Sequence, residues 1–353
     1  MNAPITGPLP TLALAPVARR GVVLVNVGTP DAPTVPAVRD FLREFLGDPG
    51  VVDLPAPLRW ALLALIILPF RTGRSAHAYR SIWTDQGSPL LVHARAQVQA
   101  LQARLPEAEV VLAMRYGRPS LQEAVARLTQ AGIRDVTLVP MYPQQASATT
   151  GSTVEAFTAL WPGARVVPAF HDAPGFVGAY ARRVREAVER SGAEYVLFSY
   201  HGLPTRQLLR ECHDGCPGAW GQPIPCGPAT GAHASCYRAQ CYATTAAIAA
   251  RAGLARWGTS FQSRIKGTTW LSPFTDDTLE HLARRGVKRV AVVCPAFVAD
   301  CLETLEELGL RGAEAFRAAG GDHLELVPAV NDAPEFIDAL ASLVRARWED
   351  PTP

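Results

Sequence analysis

The sequence predicts an α/β protein built as two similar doubly wound domains, each a parallel sheet covered by helices on both faces. Three observations carry that expectation. Short apolar, β-branched runs alternate with amphipathic helical patterns from end to end. The chain has 353 residues, which suits two domains of ordinary size. A helical pattern followed by Gly132-Ile-Arg-Asp-Val-Thr-Leu-Val-Pro140 recurs as a helical pattern followed by Gly286-Val-Lys-Arg-Val-Ala-Val-Val-Cys-Pro295. The shift from 132 to 286 is 154 positions, near one domain length.

In chain order, residues 1–20 are Pro- and Ala-rich with no apolar signal core, and read as a loose leader to a cytoplasmic protein. The strands expected are Val22 to Val27, Val110 to Met114, Val136 to Val139, Val166 to Phe170, Tyr195 to Tyr200, Val290 to Cys294 and Leu324 to Val330. Between them, Val35, Val38, Leu42, Phe45 and Leu121, Val125, Leu128 are spaced three and four apart, as one face of a helix requires. Ser120-Leu-Gln-Glu123 is a capping-box pattern that starts one of these helices. The most apolar run, Trp60 to Phe70, has eleven residues against the roughly 20 a spanning helix needs. Its pattern fits a buried core helix or, flanked by Arg59, Arg71 and Arg74, a segment lying in a membrane interface.

Composition excludes several classes. The formal net charge is +2 and only 19% of residues are charged, so nothing electrostatic argues for nucleic acid as a partner. The 48% apolar share fills substantial cores, and the 28 Gly and 30 Pro are dispersed as turn punctuation rather than repeats. The anomaly is cysteine: of seven, five fall between Cys212 and Cys241.

Ligands of doubly wound domains sit beyond the carboxyl ends of the strands, so the residues just after each strand carry the chemistry. The first such loop, Gly28-Thr29-Pro30, has neither dinucleotide nor P-loop spacing. The strand at Tyr195 runs into His201-Gly-Leu-Pro204, placing an imidazole at a ligand end. After Cys294 come Asp300, Glu303 and Glu307, spaced to share one helix face. An acidic face at a helix N-terminus is often only solvated. Paired with His201 across a cleft, the same residues make a mixed imidazole and carboxylate site suited to Fe, Zn or Co and to proton transfer near neutral pH.

Phe198-Ser-Tyr-His201-Gly-Leu-Pro204 and Phe297-Val-Ala-Asp300-Cys-Leu-Glu303-Thr-Leu-Glu-Glu307 resemble the two signature segments of the ferrochelatases. Val25-Asn-Val-Gly-Thr-Pro30, Gly87-Ser-Pro89, Met114-Arg-Tyr116, Tyr142-Pro143 with Thr149-Thr-Gly-Ser152, Ser260-Phe-Gln-Ser-Arg264 and Trp270-Leu-Ser-Pro273 follow the same family's order, covering about residues 20 to 345. The resemblance implies two Rossmann-like domains, 21–172 and 173–353, with a porphyrin in the cleft between them and the last helix packing back on the first domain. It implies insertion of Fe²⁺ into protoporphyrin IX as the last step of protoheme synthesis. His201 and Glu303 take the catalytic roles, with Asp300 and Glu307 extending the Fe²⁺ path. Arg115, Tyr142, Trp270 and Phe297 are expected near the ring, and Arg71, Arg74 and Ser88 near its propionates. Residues 57–74 correspond to an apolar lip over the pocket, in peripheral contact with the cytoplasmic face of the membrane. The alternatives are the same reaction on coproporphyrin, or a heme-binding or iron–sulfur sensing protein that kept the fold without catalysis. Monomer and homodimer are equally open.

The departure from the family pattern is an insertion over 210–236, crowded with turn formers and without an apolar core of its own. A metal cross-link would supply the missing constraint. By resemblance to other bacterial members, Cys212, Cys216, Cys226 and Cys236 are expected to hold a [2Fe–2S] cluster, with Cys241 in reserve. Their spacings fit a structural zinc site equally well. Cys301 stands where many members have His.

Overall fold

The computed structural model describes residues 19–211, 229, 233–264 and 269–349. It contains two four-stranded sheets, all parallel. The first has the order β2-β1-β3-β4, with β1 Arg20–Thr29, β2 Ala108–Gly117, β3 Val136–Pro140 and β4 Arg165–Val166. The second has the order β6-β5-β7-β8, with β5 Tyr195–His201, β6 Trp257–Gln262, β7 Arg289–Val293 and β8 His323–Leu326. The central strands are apolar because they are buried on both faces, as parallel sheets require.

The period of two along each strand decides what each face packs against. In β1, Val23 and Val25 join the helices Leu121–Gln130 and Ser152–Leu160 in one core, while Val22 and Leu24 turn to the other. In β7, Val290 and Val292 face the helix Thr275–Arg284, and Ala291 and Val293 turn inward. The inward faces of both sheets belong to one continuous apolar slab, filled by Phe176, Tyr180 and Val184 from Pro174–Ser191 and by Phe336, Ile337 and Leu340 from Pro334–Glu349. The two halves therefore share a core. The C-terminal helix reaches the first half directly: Trp348 Nε1 donates to Thr137 Oγ1 at 3.0 Å, and Arg104 pairs with Asp338.

The duplication extends to individual hydrogen bonds. The helices Leu121–Gln130 and Thr275–Arg284 are ended in the same way: Gly132 N–Thr129 O and Ile133 N–Leu128 O recur as Gly286 N–Ala283 O and Val287 N–Leu282 O, all at 3.0 Å. Both glycines have positive φ, +69° and +88°. A second repeat, not singled out from sequence, follows the edge strands, where Val167-Pro-Ala-Phe-His-Asp-Ala-Pro174 matches Val327-Pro-Ala-Val-Asn-Asp-Ala-Pro334. Val167 N and Val327 N each make one last bond to the neighbouring strand, 2.9 and 2.8 Å, before proline ends the pairing. That is why β4 and β8 stop short of the expected Phe170 and Val330.

β6 was not among the expected strands. Trp257-Gly-Thr-Ser-Phe-Gln262 has no apolar run, yet it pairs with β5 from Val196 to His201. At Gly258 a Cβ would meet the Tyr195 hydroxyl at 2.4 Å, so a side chain there would displace that ring.

The apolar run lies within a longer continuous helix, Ala56–Ile82, which is long and apolar enough by length and composition to cross a membrane; the eleven-residue run alone predicted a segment too short. Its Leu63, Leu68, Ala76 and Tyr79 pack on Val38, Phe41, Leu42 and Leu46 of the helix Val35–Gly47. Its other side is bare: Trp60 is 71% exposed, Leu65 68% and Phe70 69%.

Candidate active site

His201 is the last residue of β5, half-buried, and opposite Gln262 at the end of β6. Its Nδ1 lies 2.7 Å from the carbonyl oxygen of Gly202. A carbonyl only accepts, so Nδ1 is the donor in this contact, and in the neutral ring Nε2 holds the lone pair. Gly202 is itself fixed, its N–H bonded to Gln262 O at 2.8 Å. A Cβ there would lie 2.7 Å from that same oxygen and 3.3 Å from the Trp270 ring. Trp270 is buried, held by an antiparallel bridge to Pro204. The Phe297 ring stands edge-on to the His201 ring, centroids 6.4 Å apart, and Tyr180 Oη donates to the Phe297 carbonyl.

The carboxylates arrive from the second half's other strand end. Glu303 lies in the first turn of a helix that begins at Leu302, its backbone carbonyl accepting from Gln262 Nε2 at 2.9 Å. From Leu305 to Gly312 this helix widens to a π-helix, a form that recurs at functional sites. Glu307 sits on that segment. Ser263 N donates to one of its oxygens at 2.9 Å and Ser263 Oγ to the other at 2.7 Å. Burial pushes the Glu307 carboxyl above the usual range and the Glu303 charge adds to it, against the pull of the Ser263 hydrogen bond and of His201. His201, Glu303 and Glu307 thus share one electrostatic environment.

Asp300 has a different position from the one expected. The three-and-four spacing assumed a helix running through it, but the helix starts after Cys301, so Asp300 lies on the preceding loop. Its carboxylate accepts from Asn331 Nδ2 at 2.8 Å, Ala329 N at 3.1 Å and Thr304 Oγ1 at 3.3 Å, so it ties two loops together. Among the described residues no group of three or more His, Cys, Asp or Glu is arranged to hold a metal ion.

A pocket opens where the halves meet. The first half lines it with Val27, Phe45, Tyr79 and Ser88, and the second with Cys301 and Glu303. Ser88 is buried and accepts from Thr29 Oγ1 at 2.8 Å. Arg71 and Arg74 are exposed on the helix Ala56–Ile82. Arg115, at the end of β2, is committed to an ion pair with Asp48 and a 3.0 Å bond to Ser152 Oγ, its guanidinium 4.6 Å from the Tyr116 ring centroid. Burial works to raise the Asp48 pKa, but hydrogen bonds from Tyr116, Gly50 and Ser152 and the Arg115 charge outweigh it, and the net shift is downward. Tyr142 is buried close by; burial pushes its hydroxyl up to about 12. Sequence reasoning missed Asp48, Gln262 and Ser263. The last two lie in the segment Ser260-Phe-Gln-Ser-Arg264, a signal that was present without a role attached.

Cys212, Cys216 and Cys226 lie outside the described residues. Cys236 is buried at the N-cap of the helix Tyr237–Ala252. Cys241 is fully buried inside that helix, and burial raises its thiol well above the ordinary value.

Residues 19–348 match the family model for ferrochelatase. The chain belongs to the ferrochelatase family. It is 46% identical to the ferrochelatase of Opitutus terrae over 341 residues, covering 92% of this chain and 97% of that one. It is 43% identical to the ferrochelatase of Pseudomonas aeruginosa over 335 residues, covering 93% and 98%. The solved structure of SirB from Bacillus subtilis with Fe³⁺ shares the fold, with a TM-score of 0.51 at 10% identity over 93% of this chain and 95% of that one. As a ferrochelatase the chain is an enzyme, a porphyrin metal chelatase of the lyase class in heme biosynthesis, with porphyrin and ferrous iron as substrates.

Proposed function

We propose that this ferrochelatase inserts Fe²⁺ into protoporphyrin IX, with His201 as the acceptor of a pyrrole proton. The observation that carries this reading is the Nδ1–H bond from His201 to Gly202 O, which leaves Nε2 as the basic nitrogen at the ligand end of β5. Metallation releases two protons as one dication enters, so a second acceptor is needed; Glu303, on the pocket wall, takes that proton or guides the incoming iron. Glu307, held by Ser263, extends the carboxylate path away from the ring. A planar macrocycle resists metal entry, and the aromatic walls Trp270 and Phe297 hold it distorted with binding energy drawn from the rest of the ring. Arg71, Arg74 and Ser88 serve the propionates.

Protoporphyrin is favoured over coproporphyrin, which carries more carboxylates, by the bare apolar side of the helix Ala56–Ile82. That side suits a mostly apolar substrate arriving from the cytoplasmic membrane surface. The contact is peripheral, because the helix's opposite stripe is already buried on the first half and a span would have to strip it. Replacing Ile66 and Phe70 with Glu should release the protein from anionic vesicles without lowering its melting temperature.

For the insertion, Cys236 fits a cluster ligand: it sits at a helix N-terminus, where the dipole favours a thiolate. Cys241, fully buried inside that helix, stays in reserve. A [2Fe–2S] cluster on Cys212, Cys216, Cys226 and Cys236 would supply a cross-link to a turn-rich segment. Anaerobic purification with a visible spectrum and metal analysis tests it; a colourless protein with stoichiometric zinc overturns it.

The enzyme reading is tested by following Fe²⁺ or Zn²⁺ insertion into protoporphyrin by absorbance. His201→Ala should abolish insertion and still bind porphyrin. Retained turnover removes His201 from its role, and preference for coproporphyrin overturns the substrate assignment.

A further inference from the structure

The helix Tyr237–Ala252 buries a stripe that is polar where a core stripe is normally apolar. Tyr237, Gln240, Cys241 and Thr244 follow the i, i+3, i+4, i+7 spacing of one helix face, and all are buried. Apart from Cys241, each spends its side chain on a fixed point elsewhere in the fold. Tyr237 Oη donates to the backbone carbonyl of His201 at 2.8 Å. Gln240 Oε1 accepts from Gln145 N at 2.6 Å, and its Nε2 donates to Ala234 O at 2.6 Å. Thr244 Oγ1 bonds His171 O at 2.9 Å and takes the Gln144 side-chain amide at 3.1 Å.

These points belong to both halves. Gln144 and Gln145 lie in the loop after β3, two and three residues beyond Tyr142, while His201 ends β5. One helix face therefore spans from the loop expected against one part of the ring to the imidazole expected to deprotonate it. An apolar stripe would hold these elements together but leave their offset loosely set. Hydrogen bonds to backbone atoms set the offset, which is what buried polar networks contribute beyond packing. At His201 the consequence is specific: its carbonyl is held by Tyr237, the next N–H by Gln262, and the next carbonyl by its own Nδ1. Without Tyr237 Oη one of the three restraints on the imidazole's direction is lost.

We propose that Tyr237 and Gln240 are positioning residues: Tyr237 aims His201, and Gln240 sets the Tyr142-bearing loop at the matching distance across the cleft. The proposal deepens the reading of His201 as proton acceptor and rests on it. Misplacement of a reacting group by about 1 Å costs up to about a hundredfold in rate. Tyr237→Phe, which removes one oxygen and keeps the ring, should lower kcat about tenfold or more with KM for porphyrin within about twofold. Gln240→Met, of similar shape, should instead raise that KM several-fold and change kcat less.

Two further measurements separate positioning from general stability. Ile248→Val, in the same helix and fully buried, provides a destabilised control and should leave kcat unchanged. In full-length protein labelled at histidine ring carbons, the His201 signal, identified among the eight histidines by its loss in His201→Ala, should shift in the porphyrin complex of Tyr237→Phe and not in that of Ile248→Val. Wild-type kcat and an unshifted His201 signal in Tyr237→Phe overturn the proposal. So do rate losses that follow melting temperature equally across all three variants. The ring signal reports geometry whether or not His201 takes the proton, so active His201→Ala would sink the catalytic reading while leaving this one measurable.

Discussion

The direction of the His201 ring is set one residue along the chain, by the Gly202 carbonyl that its Nδ1 meets at 2.7 Å. Gly202→Ala would force its Cβ against Gln262 O, 2.7 Å away, moving the peptide that accepts from Nδ1. Zn²⁺ insertion should fall at least about tenfold, and the variant should melt a few degrees lower. A fully active variant would separate the ring's direction from catalysis. Glu307 allows a test by pH. Its folded pKa lies above that of an unfolded glutamate, so the fold favours the protonated form; that stabilisation is complete in acid and is lost as pH rises through the folded pKa. Glu307→Gln, permanently neutral, should therefore melt higher than wild type at pH 8, with the gap closing below about pH 4. A lower melting temperature at pH 8 would contradict this. At this scale sequence was informative about which side chains stand at strand and helix ends and poor about their surroundings. His201 stands at the strand end and Glu303 and Glu307 on the helix that the apolar run and the spacing predicted. Asp300 fitted the same spacing, but only the position of the helix start decides that it lies outside the helix, and nothing periodic encodes that.

Among the elements, β2 and the helix Val35–Gly47 are joined by an ionic knot. Asp48, just past the helix, collects Arg115, Tyr116 Oη at 2.8 Å, Gly50 N at 2.7 Å and Ser152 Oγ at 3.1 Å. Its folded pKa is depressed, so the stability it contributes is present above the ordinary carboxylate pKa and is lost as acid protonates the folded form. Asp48→Asn should cost about 2 kcal/mol near neutral pH, read by urea denaturation, with a smaller difference in acid. An equal cost at pH 7 and pH 3 would mean that packing, not charge, matters there. The helices around this knot were legible because their apolar faces repeat at three and four. β6 was not, because an edge strand whose side chains meet polar neighbours, Ser260 on Thr275 and Gln262 on Ser199, carries no apolar signature.

Across the whole molecule, the halves are bolted as well as repeated. Gln97 is buried, and its amide donates to Val298 O at 2.8 Å and Asn331 O at 2.9 Å, more than two hundred positions away. Gln97→Leu should cost about 2 kcal/mol, since it leaves a buried carbonyl without its donor, and a change under about 0.5 kcal/mol would show the bolt to be idle. The duplicated architecture was readable from one repeat at 154 positions; the shared slab was not, because periodicity reports which face is apolar and never what covers it. That slab bears on synthesis. Thr137 and Trp348 are bonded partners 211 positions apart, and at about 5–20 residues per second roughly 10–40 s separate their emergence from the ribosome. Throughout that interval the helix Pro89–Arg104 already covers β1 and β2, and only the part of the first half's greasy face beside β3 waits for its partner, so the last packing of a region made early depends on a segment made late.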